Sequence, residues 1–79
     1  MESLNELGEA VAKRRQVLGI KQGYVAGLAG ITQESLSRFE RGRMPEFGAR
    51  KLLAVLAVLG MEISFSERRP RTHSMERED

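Results

Sequence analysis

The chain has 79 residues, no cysteine and a formal net charge of +2, so we expect one small domain without disulfides or cysteine-ligated metals. The N-terminus MESLNELGEA is acidic, which argues against a secretory signal, and the longest apolar run, residues 52–59, is too short to span a bilayer. We therefore expect a cytoplasmic protein without membrane contacts. The modest charge permits nucleic-acid binding only through a local basic patch.

The first two predicted helices are defined by their ends. The first begins at a capping box formed by Ser3 and Glu6 and ends at Gly19. The second covers residues 22–29 and stops at Gly30, where a turn with positive φ suits glycine.

Three residues weaken the second helix, two of them inside it and one at the position just before it. Lys21 stands at the capping position, and its ammonium group cannot accept the capping hydrogen bond from the helix. Gly23 and Gly27 lie inside the helix, and each lowers its stability by about 1 kcal/mol relative to alanine.

Two further helices and a strand follow. Thr32 can cap the third helix through its hydroxyl, and Gly42 ends that helix just past Arg41. Pro45 suits the first turn of a fourth helix, which continues through LLAVLAVL to Gly60. This run is apolar nearly all round, so one face can pack on the first three helices and the other needs a partner.

The segment from Gln22 to Arg41 has the pattern of a helix-turn-helix unit. Ala26 is small enough to let two helices approach closely, and Gly30 permits the turn between them. The residues that would form the buried seam are apolar: Val25, Ala29, Ile31, Leu36 and Phe39. The second helix of such a unit enters the DNA major groove, which predicts a DNA-binding protein.

The third helix has one polar arc, which is the predicted base-contacting surface. At about 100° per residue, Leu36 and Phe39 lie opposite this arc. The predicted base-contacting residues are Gln33, Glu34, Ser37 and Arg38. Glutamine can pair with adenine, arginine with guanine, and glutamate with the cytosine amino group. The alternative is a solvated helix face on which Glu34 and Arg38 form an ion pair.

A second group of residues is predicted to contact DNA phosphates: Lys21, Gln22, Arg41 and Arg43. Gln22 begins the second helix, where free amide groups and the helix dipole favour an anion. Arg41 and Arg43 flank the far end of the third helix, although Arg43 fits a solvated loop charge almost as well. Lys13 and Arg14 are interpreted as surface residues.

After Gly60 the apolar residues alternate with Glu62 and Ser64, which is typical of a strand. A lone strand leaves its backbone groups unpaired, and the same strand from a second copy would satisfy them. The predicted dimer-interface residues are Val58, Met61, Ile63 and Phe65. The alternative is an extended tail with incidental apolar residues. With the dimer prediction, residues 1–65 form the DNA-binding and dimerisation domain, and residues 66–79 form a charged, disordered tail.

The chain resembles the Cro/C1-type, xenobiotic-response-element helix-turn-helix family. The resemblance depends on LGEAVAKRRQVLGIKQ, VAGLAGITQESLSRFERG and LLAVLAVLG. It implies that Gln22 binds phosphate and that Gln33 contacts bases, joined by Glu34, Ser37 and Arg38. It also implies a structural ion pair between Arg15 and Glu40. The segment LGMEISF is similar to antitoxins of the hip toxin–antitoxin class, which dimerise through such a strand and bind a kinase-like toxin.

These features predict an all-α fold of four to five helices, lambda-repressor-like, with a short C-terminal strand that pairs across a dimer. The predicted function is a dimeric repressor of transcription that binds a palindromic site in double-stranded DNA. The alternative is an antitoxin that neutralises a toxin protein and represses its own operon.

The composition does not favour catalysis or metal binding. His73 is the only histidine and lies in the predicted tail, and the acidic residues are scattered along helix surfaces. We therefore expect no catalytic residues, no metal, no cofactor and no enzyme activity.

Overall fold

The computed structural model describes residues 3–67, which form four helices. They are α1 (Leu4–Leu18), α2 (Gln22–Ala29), α3 (Gln33–Glu40) and α4 (Ala49–Val58). The all-α prediction is therefore confirmed over this range. Of the predicted tail, only Ser66 and Glu67 fall in it, and both are exposed; the rest lies outside the described residues.

The ends of α1 follow from local hydrogen bonds, as predicted. The Ser3 hydroxyl oxygen accepts a hydrogen bond from the backbone N–H of Glu6 (3.1 Å). In return, Glu6 Oε1 accepts one from the backbone N–H of Ser3 (3.2 Å), which completes the capping box. Gly19 ends the helix in the left-handed conformation, with φ 71°.

The ends of α2 and α3 also match their predicted positions. Lys21 precedes α2 without a side-chain capping bond, and Gly30 ends it with φ 76°. Thr32 caps α3, because its Oγ1 accepts a hydrogen bond from the backbone N–H of Ser35 (3.0 Å). Gly42 has φ 73° just beyond the end of α3.

The predicted start of α4 at Pro45 is wrong, since the helix begins at Ala49. Phe47 lies in the irregular segment before it and is buried. Its ring stacks on that of Phe39, with centroids 4.1 Å apart and planes inclined by 9°. The contact with Phe39 of α3 therefore determines the path of this segment. The prediction from Pro45 did not include this contact.

The core lies among the four helices, where α3 packs on α1 and α2, and α2 packs on α4. The buried hydrophobic residues are Val11, Val25, Ala26, Leu36, Phe39, Phe47, Leu52, Val55, Leu56 and Leu59. Ala29, Ile31 and Val58 are partly buried against this cluster, whereas Leu53 of α4 is 54% exposed. Of the predicted buried seam, Val25, Leu36 and Phe39 are buried, and Ala29 and Ile31 are partly buried. Leu53 is the large apolar residue that α4 leaves exposed, and Arg50 and Lys51 of the same helix are exposed as well.

Helices α1 and α3 touch backbone to backbone at Gly8. A Cβ atom placed on Gly8 would lie 2.0 Å from the carbonyl oxygen of Phe39. No real side chain fits at that distance, so only glycine allows this packing. The periodicity of the sequence gives no sign of this contact.

Arg14 is not the simple surface residue that the sequence suggests. Its Nε donates a hydrogen bond to the backbone carbonyl oxygen of Leu59 (3.0 Å), and its side chain is half-buried. Leu59 is the residue that follows the last turn of α4, whose final carbonyl groups lack partners within the helix. Arg14 thus caps α4 from α1 with a positive charge, which the helix dipole favours.

Residues 61–67 form no strand in the described part of the chain. A strand is defined by ladder hydrogen bonds to another strand, and residues 3–67 provide no such neighbour. The strand prediction is therefore not confirmed in the single chain, and neither is the pairing that depends on it.

Replacing Gly8 by alanine is expected to lower the free energy of unfolding by at least about 2 kcal/mol, because the new methyl group must push α1 away from α3. Gly27→Ala is the matched control. Gly27 is also helical, and nothing lies within 4 Å of the added Cβ, so this change should stabilise the protein by about 0.5–1 kcal/mol. Urea unfolding followed by circular dichroism measures both. Equal stabilities for the two variants would contradict the close approach at Gly8.

Arg14→Ala is expected to lower the free energy of unfolding by about 1–2 kcal/mol, because Leu59 loses a charged hydrogen-bond donor. Lys13→Ala removes the same charge from an exposed position of the same helix and should change stability by less than about 0.5 kcal/mol. Thermal unfolding of the two variants side by side checks this difference. A Lys13 variant as unstable as the Arg14 variant would mean that net charge, not the cap, is responsible.

Candidate nucleic-acid interface

Helices α2 and α3 cross each other and are joined by a three-residue connection. Gly30 reverses the chain with φ 76°, and Ile31 then donates its backbone N–H to the carbonyl oxygen of Ala26 (3.0 Å). Ala26 is 2% exposed, so its single methyl group lies within the crossing. The two helices and the turn have the arrangement of a helix-turn-helix unit.

The outer face of α3 is the polar arc predicted from the sequence. Leu36 and Phe39 are buried on the inner side, at 0% and 1% exposure. The arc comprises Gln33, Glu34, Arg38 and Arg41, which are exposed, and Ser37, which is partly exposed. The structure therefore places all four predicted base-contacting residues on one accessible helix face.

Ser37 and Arg41 are directly joined. Arg41 Nη1 donates a hydrogen bond to Ser37 Oγ (2.8 Å), one helical turn apart. This bond lays the guanidinium group back along the polar arc of α3 and uses one of its several N–H donors. A residue predicted to contact phosphate is thus held beside one predicted to contact bases. The spacing of four residues was the available sequence signal for this pair.

The start of α2 lies beside the start of α3. A Cβ atom placed on Gly23 would lie 3.4 Å from Oε1 of Gln33, so the glutamine side chain extends to the first turn of α2. Lys21 is exposed there, and no side chain caps the helix. Free N–H groups and the positive end of the helix dipole therefore face the neighbourhood of Gln33.

Gln22 is held in place by Glu40. Its Nε2 donates a hydrogen bond to Glu40 Oε1 (2.9 Å), and this orientation follows because a carboxylate only accepts. The amide nitrogen carries a second hydrogen, which remains available to another acceptor. Sequence reasoning missed this contact, because the two residues are 18 positions apart and no local pattern links them.

Glu40 also forms the ion pair expected with Arg15. Arg15 donates from Nε to Glu40 Oε2 (2.8 Å) and from Nη2 to Oε1 (2.9 Å), and the two side chains are 14% and 4% exposed. The hydrogen bond to Glu40, assisted by its charge, raises the pKa of Arg15 above its ordinary value, although burial acts in the opposite direction. Arg15 Nη1 binds the carbonyl oxygen of Ile20 as well (3.0 Å). The network therefore joins α1, α2, α3 and the turn between the first two.

The remaining predicted site residues lie apart from this network. Arg43 is exposed in the segment after α3, where its backbone N–H donates to the carbonyl oxygen of Arg38 (2.8 Å). Met61 is partly buried against the core, Ile63 is 43% exposed and Phe65 is 91% exposed. Within residues 3–67, no three acidic or histidine side chains cluster closely enough to bind a metal ion.

This geometry agrees with the comparison to known domain families. The profile of a helix-turn-helix domain family matches residues 2–66, which is most of the chain. The chain belongs to this helix-turn-helix family. No curated protein matches it. Membership supports a DNA-binding regulator, while the finer resemblance to the Cro/C1 type stays a prediction.

Among residues 3–67, no helix is both long and apolar enough to cross a membrane.

Glu40→Ala is expected to lower the free energy of unfolding by about 3–5 kcal/mol, because it leaves the largely buried charge of Arg15 without its carboxylate partner. The double variant Arg15→Ala/Glu40→Ala should be destabilised by much less than the sum of the two single changes. Urea unfolding of the four proteins completes the cycle. Additive losses would show that the two side chains do not interact.

Proposed function

We propose that this protein is a sequence-specific transcriptional regulator that binds double-stranded DNA as a homodimer and represses transcription from a palindromic operator. The observation that carries the proposal is the exposed polar arc of α3, presented outward by a helix-turn-helix unit. An outward polar helix of this kind fits the major groove, which is wide enough to admit an α-helix.

Base recognition is assigned to the arc itself. Gln33 begins α3, the end of a recognition helix that enters the groove, and its amide can pair with adenine. Arg38 can pair with guanine, and Glu34 can accept from the cytosine amino group. Ser37 contacts a base or holds Arg41 in position, because its hydroxyl already accepts from that guanidinium group.

Phosphate binding is assigned to the two ends of the unit. The uncapped N-terminus of α2 supplies free N–H groups, and the second amide hydrogen of Gln22 can donate to a phosphate oxygen while the first stays on Glu40. Lys21 adds a positive charge at this end. Arg41 and Arg43 add two more at the far end of α3, where they position the protein without selecting a sequence.

A dimer suits this task because one 79-residue chain presents a single recognition helix. Two copies related by a two-fold axis would place their α3 helices about 34–36 Å apart, in successive major grooves, and would bind a palindrome. The function needs no catalytic residue, metal or cofactor, and it belongs in the cytoplasm of a cell whose DNA is accessible there.

The antitoxin alternative depends on the resemblance of residues 59–65 to a dimerising strand. These residues form no strand in the described chain, so the structure adds nothing to that resemblance. A neighbouring reading frame for a kinase-like protein would favour the antitoxin over a stand-alone regulator.

Gln33→Ala and Arg38→Ala are expected to relax base preference, with about 1–3 kcal/mol of discrimination lost at the contacted positions. Arg41→Ala should instead weaken binding to all sequences and lower the slope of log affinity against log salt by about one unit. Mobility-shift titrations against the protein's own upstream DNA and against randomised DNA, at several salt concentrations, measure both effects.

Lys13→Ala is the control for net charge, since it removes one positive charge from an exposed position on α1. It should leave the salt slope and the base preference unchanged. Equal losses of affinity on every DNA sequence for Gln33→Ala, Arg38→Ala and Arg41→Ala would contradict the division between base recognition and phosphate binding. If the unaltered protein preferred no duplex over random DNA, sequence-specific binding itself would be contradicted.

A further inference from the structure

Two glycines of α2 have equivalent places in the helix but different surroundings. Gly23 and Gly27 lie one helical turn apart on the same side of α2, and both are exposed. A Cβ atom placed on Gly27 would meet no atom of residues 3–67 within 4 Å beyond its own helix and chain neighbours. A Cβ atom placed on Gly23 would lie 3.4 Å from Oε1 and 3.9 Å from Cδ of Gln33. Of the two glycines, Gly23 is therefore the one that faces a side chain of α3.

The amide group of Gln33 has its oxygen toward α2. Oε1 is the atom nearest to the Cβ position of Gly23, whereas Nε2 lies more than 4 Å from that position. The first turn of α2 carries backbone N–H groups without acceptors inside the helix, and Lys21 adds a positive charge without capping them. Such groups attract the amide oxygen and repel the amide nitrogen, so electrostatics favours this orientation.

We propose that Gly23 is a positioning residue for base recognition: because it has no side chain, the amide of Gln33 can lie against α2 before DNA binds. The inference rests on the proposed function and adds to it a residue that contacts no base itself. With its oxygen against α2, the amide leaves its nitrogen, which carries two N–H donors, as the end farther from α2.

The amide of Gln33 can form both of its hydrogen bonds to adenine from this position. Its nitrogen can donate to N7 of the base. Its oxygen has two lone pairs, so one can stay directed at the first turn of α2 while the other accepts from the adenine amino group. Glutamine is among the side chains that lose most rotamer freedom when they are fixed, so an amide held in place beforehand binds at a lower entropic cost.

The space beside Gly23 admits a methyl group but not a branched side chain. Distances of 3.4 and 3.9 Å are ordinary van der Waals contacts, so the Cβ atom of an alanine would fit against the amide of Gln33. Valine adds two γ carbons to that atom and has one strongly preferred rotamer in a helix, so it cannot turn aside. The Gln33 side chain would then have to leave α2 for solvent.

A role in the fold does not explain glycine at position 23. The residue is exposed and lies within a helix, where glycine lowers stability relative to alanine. Its φ is not positive, unlike that of Gly30, so its backbone conformation suits any residue. What the missing side chain provides is room for the amide of Gln33.

Nuclear magnetic resonance of the full chain without DNA tests the contact itself. The side-chain amide signals of Gln33 are identified by their loss in Gln33→Ala. Gly23→Val should shift these signals, because the amide must leave the first turn of α2, and Gly23→Ala should shift them less. Gly27→Val is the matched control, since it places the same residue on the same side of the same helix, and it should leave the signals unchanged. In the unaltered chain, a nuclear Overhauser contact between the α protons of Gly23 and the side chain of Gln33 checks the contact without any substitution.

Base preference tests whether this contact matters for recognition. Duplexes selected from random DNA by the unaltered chain define the operator, and Gln33→Ala identifies the base pair whose preference depends on Gln33. Gly23→Val should lower the preference at that base pair at least about fivefold, the lower end of what one paired base contact provides, and leave the other positions unchanged. Gly27→Val should leave all of them unchanged. In the double variant Gly23→Val/Gln33→Ala, the valine should cause no further loss, because it acts through Gln33.

Unchanged Gln33 signals in Gly23→Val would overturn the contact. An equal loss of affinity on all DNA, with the preference at the Gln33 base pair intact, would overturn the positioning role, as would a further loss of preference in the double variant. If the unaltered chain selected no sequence, the proposed function would be contradicted, whereas the signals of Gln33 would still decide whether Gly23 holds its amide.

Discussion

The buried carboxylate of Glu40 is the point on which the arrangement of the first three helices depends. It accepts two hydrogen bonds from Arg15 of α1 and one from Gln22 of α2, and its own side chain is 4% exposed. A charge at this depth is tolerated only with partners at good geometry, so the three helices must meet in one relative orientation. The same guanidinium group holds the turn at Ile20, which ties the entry into α2 to this centre.

Two further contacts determine how α3 is seated. Gly8 allows the backbone of α1 to meet the carbonyl oxygen of Phe39, and the ring of Phe47 stacks on that of Phe39 from the following segment. Helix α3 is thus enclosed on its apolar side by a backbone and a ring, and its polar arc faces solvent. Because the apolar side of α3 is packed against the core, the polar arc is the side that remains accessible, and it is the surface proposed to contact bases.

Stability and recognition share residues in this protein. Gln22 belongs to the buried network through one amide hydrogen, and its other hydrogen is the one assigned to phosphate. A helix with two internal glycines and no side-chain cap gains little from its own sequence, so α2 depends on tertiary contacts, which are this network and its buried Val25 and Ala26. Side chains fixed before DNA arrives lose less conformational entropy on binding.

The sequence alone determined the ends of α1, α2 and α3 and the polar arc of α3. Those features depend on residues three or four positions apart, such as Ser3 with Glu6 or Thr32 with Ser35. The partners of such local hydrogen bonds can be recognised from the sequence because they are close neighbours in it. Tertiary structure alone decided the late start of α4, the cap from Arg14 and the bond from Gln22 to Glu40. The start of α4 follows from the stacking of Phe47 on Phe39, and the other two contacts join residues 45 and 18 positions apart. All three contacts form only when the helices pack, and no local pattern in the sequence identifies the partner.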